Sequence, residues 1–235
     1  MFLNGVMDVP EKKKVVIWGD SLARGVIFDE EKNRYRIAPC TAVGYVAEHT
    51  GLEIVNRARM GMTVEAGLHT MQADLAAGVA GDIAFLEFGG NDSDFDWRAI
   101  SEDPKGEHLP KTPLARYEET MCTMIGLARD RGMQVVLCTL PPIISERYFH
   151  FVAREGLSED NILAWLGDKD KIYRYHERYS LVLARLAREY RARILDLRSA
   201  FLEKWSPTPY FCRDGIHPNS EGQLLIGKTA LAALA

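Results

Sequence analysis

Val15-Val16-Ile17-Trp18-Gly19-Asp20-Ser21-Leu22-Ala23-Arg24-Gly25 is the stretch from which the fold can be read. A short, largely β-branched apolar run stops at a Gly-Asp-Ser corner, and a helix start follows. This is the pattern of a buried strand that delivers one hydroxyl to the edge of a sheet. In open α/β sheets ligands bind in the crevice beyond the carboxyl ends of the strands, so Ser21 stands where a nucleophile would be useful. Ser21 also stands at a helix start, whose free N–H groups attract negative charge. A plain helix cap accounts for the same serine, and the rest of the chain has to decide between the two.

The chain has 235 residues, 47% hydrophobic and 26% charged, with a formal net charge of -4. This is an ordinary globular composition with enough material for a sizeable core. The charge gives no electrostatic reason to expect nucleic acid or an anionic membrane as partner. Lys12 to Lys14 read as a solvated lead-in to the first strand. Arg185, Arg188, Arg191 and Arg193 are interleaved with Leu186, Glu189 and Tyr190 and read as the outer face of a helix. Met1 to Gly5 carry no leader pattern, and no window approaches the ~20 apolar residues of a membrane span. Cys40, Cys122, Cys138 and Cys212 are scattered without a Cys-x-x-Cys pair. A structural zinc and a disulfide framework are therefore not expected, and a reducing cytoplasm is the expected compartment.

Without an internal repeat or a linker, residues 1–235 read as one domain. Candidate strands fall at 15–19, 53–56, 83–88, 135–140 and 194–197, with helical patterns between them at 41–49, 64–76, 113–131 and 171–191. That alternation implies a three-layer α/β/α sandwich on a five-stranded parallel sheet with right-handed crossovers. Gly132 behind Arg129 and Arg131 reads as the glycine after a helix end. Ser220-Glu221-Gly222-Gln223 reads as a capping box opening a last helix to Leu234, with Leu224, Leu231 and Leu234 toward the sheet. Two stretches, 93–112 and 141–170, break the rhythm directly after strands. They read as walls or a lid over the pocket, or as helical decoration on its rim.

Four short segments carry the chemistry. Gly19-Asp20-Ser21-Leu22 supplies a hydroxyl. Gly61, in Ala58-Arg59-Met60-Gly61-Met62-Thr63, is either a turn residue or a place where a backbone N–H approaches substrate. Phe88-Gly89-Gly90-Asn91-Asp92 brings a side-chain amide to the same edge, although a turn-forming Asn-Asp pair would look alike. Arg213-Asp214-Gly215-Ile216-His217-Pro218-Asn219 sets a carboxylate three residues before an imidazole. The carboxylate can turn back onto one ring nitrogen and leave the other free to take a proton from a hydroxyl.

In this order the four segments resemble the SGNH hydrolase superfamily, the GDSL esterases and lipases, over residues 15–222. The resemblance implies a flavodoxin-like fold and hydrolysis of carboxylic esters without metal or organic cofactor. It makes Ser21 the nucleophile, His217 the base and then the acid, and Asp214 its orienting partner. It forms an oxyanion hole from the Ser21 and Gly61 N–H groups and the Asn91 amide. Elementary chemistry agrees: a serine hydroxyl needs an oriented base, and the tetrahedral intermediate needs preorganised donors. No Gly-x-Ser-x-Gly elbow is present, which disfavours the α/β-hydrolase arrangement.

Asp20 is expected to hold the corner through loop backbone. Trp97, Tyr148 and Trp165 line an acyl or sugar pocket or merely cover the core. His150 and His176 lack a carboxylate at comparable spacing, and His176 reads as a surface or packing residue. The expected reaction is removal of a short acyl group, acetyl first, from a small or carbohydrate-linked alcohol. The expected partner is a small-molecule ester, with no nucleic acid and no stable membrane anchoring; a homo-oligomer is compatible. Lysophospholipid, thioester or aryl-ester cleavage and acyl transfer are alternatives on the same residues. A non-catalytic binding domain is the alternative from another class. A phosphate site is disfavoured because the first loop lacks Gly-Lys-Ser/Thr.

Overall fold

A computed structural model of the chain describes residues 12–154 and 156–234. The N-terminal segment in which no leader pattern is expected lies outside the described residues. In chain order the elements are β1 (Lys14–Gly19), α1 (Ser21–Arg24), β2 (Val26–Asp29), β3 (Arg34–Ile37), α2 (Ala42–His49), β4 (Glu53–Asn56), α3 (Val64–Ala76) and β5 (Ile83–Glu87). There follow α4 (Trp97–Glu102), α5 (Leu114–Asp130), β6 (Gln134–Cys138), α6 (Ser145–Ala153), α7 (Glu159–Leu166), α8 (Asp170–Glu189), β7 (Arg193–Leu195), α9 (Leu197–Leu202) and α10 (Ser220–Ala232).

Five strands form one parallel sheet in the order β4-β1-β5-β6-β7. Numbered within the sheet this is 2-1-3-4-5, the flavodoxin-like order, with its switch point between β1 and β5. Both sheet faces are covered, which is why the inner strands β1 and β5 read as continuous apolar runs. Val16, Trp18, Ala84, Leu86, Val135 and Leu137 pack beneath Met71 and Leu75 of α3, Met121 and Met124 of α5, and Leu183 and Leu186 of α8. On the opposite face Leu195, Leu197 and Phe201 pack with Ala42 of α2 and Ile226 of α10.

Three details differ from the sequence reading. Asp20, not Ser21, caps α1: its carboxylate accepts from Leu22 N at 2.9 Å, and Ser21 is the first helical residue. The capping box at 220–223 does not form. Asn219 caps α10 through Gly222 N, and the Gln223 amide oxygen accepts from Ala42 N instead. The buried face of α10 is Gly222, Gln223, Ile226 and Gly227, whereas Leu234 is 42% exposed. Small residues win there because α10 lies close against Tyr45 of α2 and the Tyr210 carbonyl.

The sequence reading also has no counterpart for the antiparallel hairpin β2–β3, inserted after α1. Its turn is marked by Asn33 at φ 46°, a conformation asparagine tolerates better than most residues. The two irregular stretches are not bare loops. They carry α4, α6 and α7, and Phe95, Trp97, Ile100, Phe149, Ile162 and Leu166 unite them into a small core of their own. This cap stands over the carboxyl edge of the sheet. Among the described residues no helix is long and apolar enough to cross a membrane.

One position tests the packing against helix propensity. Gly67, buried in α3, faces the ring of Phe88, and a methyl group there would collide with it. Alanine should favour an isolated helix by about 1 kcal/mol. Overpacking should outweigh that gain, so Gly67→Ala is expected to lower stability by roughly 1–3 kcal/mol. Urea denaturation of both proteins measures it.

Candidate active site

The first side chain of α1 meets a loop from the other end of the chain. Ser21 Oγ lies 2.9 Å from His217 Nε2, and His217 Nδ1 lies 2.6 Å from Asp214 Oδ2. Asp214 is fully buried, and its second oxygen accepts from Ile216 N and His217 N, both at 3.1 Å. A carboxylate on Nδ1 fixes the proton there, leaving Nε2 as acceptor for the Ser21 hydroxyl. The loop is closed by Cys212 N donating to His217 O at 2.8 Å. Its turn needs Gly215: φ is +75°, and a Cβ would stand 2.7 Å from Ile144 O and from Tyr148 N. On its other flank the imidazole meets Tyr35 of the hairpin, with ring centroids 5.0 Å apart.

Around this hydroxyl lie three candidate donors. Ser21 N, at the first position of α1, has no intrahelical acceptor. Gly61 turns at φ +75° with open space where a Cβ would be, so it is the backbone conformation, not crowding, that favours glycine. Asn91 Nδ2 donates to Asp20 Oδ2 at 3.0 Å and to Met62 O at 3.3 Å. Both of its N–H groups therefore point at protein, and Asn91 can serve a bound oxygen only by sharing one of them. Neighbouring Asp92 accepts from Val64 N at 2.9 Å, capping α3 where Thr63 makes no side-chain cap, and burial pushes its pKa up to about 6.

Beneath the serine lies a residue that the sequence reading missed. Glu87 pairs across the sheet with Gly19, and its Oε2 accepts from Asp20 N and Ala23 N, each at 3.2 Å. Glu87 thus ties the corner of the first strand to the third strand of the sheet. Burial raises its pKa well above the ordinary value, and the neighbouring Asp20 carboxylate raises it further. The available signal was one carboxylate inside the apolar run 83–88.

Ser21, Gly61, Asn91 and His217 line one cavity of about 360 Å³ that runs from the sheet edge under the cap. Trp97 and Tyr148 line it too, joined to each other and to Asp94 by hydrogen bonds of 2.6–3.2 Å. Trp165 is not among the lining residues; it packs edge-on against Phe95. His150 is half-exposed between Glu146 and Glu159, at 3.0 Å from each. His176 is buried and forms part of the cavity wall. Among the described residues no group of three or more His, Cys, Asp or Glu side chains could hold a metal ion.

A sequence profile of the GDSL-like lipase/acylhydrolase family matches residues 17–225. The chain belongs to that family, and by class it is a carboxylic ester hydrolase. The fold is similar to that of a lipase/acylhydrolase from Enterococcus faecalis, at 20% identity and a TM-score of 0.64, covering 94% of this chain and 95% of that one. It is similar to an acetylxylan esterase from Geobacillus stearothermophilus, at 19% identity and a TM-score of 0.64, covering 95% and 94%. A member of the lipolytic G-D-S-L family from Veillonella parvula matches at 16% identity and a TM-score of 0.65, covering 93% and 96%. None of the curated proteins compared with the sequence matches it.

The buried carboxyl gives a pH-dependent expectation. Because the folded-state pKa of Glu87 lies above its unfolded value near 4.5, folding takes up a proton once the pH exceeds that value. Stability from this group is present below that pH and is lost as the pH rises toward the folded pKa. Glu87→Gln keeps the acceptor and stays neutral. The melting temperature of the variant relative to wild type should rise between about pH 5 and pH 8. A constant offset over that range would mean that Glu87 is ionised in the fold.

Proposed function

We propose that this hydrolase is a serine esterase that removes a short acyl group, foremost acetyl, from a small or carbohydrate-linked alcohol. The observation that carries the reading is the continuous hydrogen-bonded line from Ser21 Oγ through His217 to Asp214. In the first step Ser21 Oγ attacks the ester carbonyl while His217 Nε2 takes its proton. The carbonyl oxygen becomes an oxyanion facing the Ser21 and Gly61 N–H groups, with Asn91 sharing one amide hydrogen. Such donors contribute on the order of 3–4 kcal/mol each. His217 then hands its proton to the departing alcohol, leaving an acyl-Ser21 ester. Water, deprotonated by the same nitrogen, attacks that ester, and its collapse returns the proton to Ser21 and releases the acid. Asp214 holds the ring in the tautomer these transfers need and stabilises the imidazolium.

The short acyl group is supported by the size of the cavity and by a cap packed around its own apolar core. The acetylxylan esterase among the similar structures points the same way. The described chain is proposed to act as one catalytic domain, with the cap as the rim of its site. Four free cysteines fit a cytoplasmic setting.

Hydrolysis of 4-nitrophenyl acetate, butyrate and octanoate by wild type, Ser21→Ala and Asp214→Asn tests the assignment. Wild type should prefer acetate. Ser21→Ala should lose several orders of magnitude, and Asp214→Asn roughly four while remaining folded. Equal rates for wild type and Ser21→Ala would remove Ser21 from the mechanism, and a preference for octanoate would exclude the short-chain reading.

A further inference from the structure

His176 is a buried histidine that the esterase chemistry leaves unused, although it stands in the same cavity as His217. It lies on α8 one turn before Ser180, whose hydroxyl accepts from Leu140 N just beyond β6 at 3.2 Å. That places it near the carboxyl end of β6, which lies two strands, about 10 Å, from β1. Behind the ring sits Arg198, held by Ser180, Tyr173 and Glu177, with Nη2 3.2 Å from His176 Nδ1.

A guanidinium has only donors, so Nδ1 must be the acceptor. The neutral ring then carries its proton on Nε2. Burial and the Arg198 charge push the His176 pKa down to about 3, so this tautomer persists at working pH. Arg198 is not part of the cavity lining, and Nε2 is on the ring side away from it. Among the described residues Nε2–H has no acceptor. Leu140, Pro141, Ile143 and Ile172 contribute apolar surface to the same cavity. Nearby polar groups are already engaged: Asp94 takes Trp97, Tyr148 and Lys111. A buried donor aimed into a cavity is costly unless something there accepts from it, and a few such groups in an apolar pocket fix a ligand's orientation.

We propose that His176 is a specificity residue: its Nε2–H donates to a hydroxyl or ring oxygen of a sugar that carries the ester attacked at Ser21. This rests on the esterase reading above and names the part of the substrate that the far end of the cavity takes. The donor is neutral, so it selects an oxygen acceptor without demanding a charge.

The test exploits two near-isosteric replacements. His176→Asn keeps an acceptor for Arg198 at the Nδ1 position and removes the cavity donor. His176→Gln puts an amide N–H at the Nε2 position. The measured quantity is the ratio of kcat/KM for a monoacetylated methyl xyloside over cyclohexyl acetate, which has a similar ring without the oxygens. His176→Asn should lower that ratio on the order of tenfold, and His176→Gln should restore most of it. An unchanged ratio in His176→Asn, or an equal fall on both esters, would overturn the proposal.

A second readout does not depend on hydrolysis. In Ser21→Ala protein with 15N-labelled histidines, methyl xyloside should shift the His176 Nε2–H resonance, identified by its loss in His176→Asn. No shift at the highest soluble sugar concentration would mean that water alone occupies the donor, and would overturn the proposal. Wild type inactive on every ester would instead sink the esterase reading, while the resonance would still decide the role of His176.

Discussion

The hydrogen bond from Ser21 Oγ to His217 Nε2 joins residues 196 positions apart, and nearly every layer of the fold is needed to make it. β1 must sit centrally to present Ser21 at the switch point, and the last loop must return over β1 after the chain has visited both edges of the sheet. Neither partner has freedom to search. Ser21 is fixed as the first residue of α1, and His217 is clamped by Asp214 on one side and Tyr35 on the other. A pair with this separation carries a large closure entropy in the unfolded chain. In the fold that cost has been met by the sheet and helices, so the imidazole nitrogen already stands 2.9 Å from the hydroxyl.

The polar groups below the serine explain how an exposed-edge corner remains rigid inside an apolar sheet. Glu87 from β5 accepts the N–H groups of Asp20 and Ala23, Asp20 accepts Leu22 N and Asn91, and Asn91 reaches the Met62 carbonyl beside Gly61. These side chains join the loops after β1, β4 and β5, in addition to the backbone bond from Arg59 N to Gly19 O at 3.1 Å. Two adjacent buried carboxylates would repel strongly if both were ionised. Burial raises the pKa of both carboxyls, but that of Glu87 further, so Glu87 takes the proton more readily and relieves the repulsion, while hydrogen bonds from Leu22 N and Asn91 and the nearby His217 favour charge on Asp20.

Much of this was legible in the sequence for a definite reason. The inner strands β1 and β5 are buried on both faces and so appear as apolar runs, and α3 has the bounds its periodicity indicates, Val64–Ala76. The candidate residues Ser21, Gly61, Asn91 and His217 were legible because each follows directly after an apolar run or sits in a short marked loop, and they line one cavity. What escaped reading was decided by tertiary contacts. The β2–β3 hairpin is rich in charge, with Arg34 and Arg36 facing solvent, and only the Asn33 turn betrays it. The final helix buries glycines because Tyr45 of α2 and the Tyr210 carbonyl come close, which a leucine count cannot reveal. Tyr35, Glu87 and His176 gain their places only when distant segments meet.

The two histidines of the cavity show how environment, not residue type, sets chemistry. His217 has a carboxylate on Nδ1, so its other nitrogen is an acceptor that can take a proton and be stabilised as an imidazolium. His176 has a guanidinium on Nδ1, so its other nitrogen is a donor, and the adjoining positive charge opposes any protonation. Exchanging the second partners would exchange the roles. The sheet edge, shared with distant members of the family, supplies the first environment. The second comes from α8 and the start of α9, so two imidazoles facing one cavity take opposite hydrogen-bonding roles from partners that different parts of the chain supply.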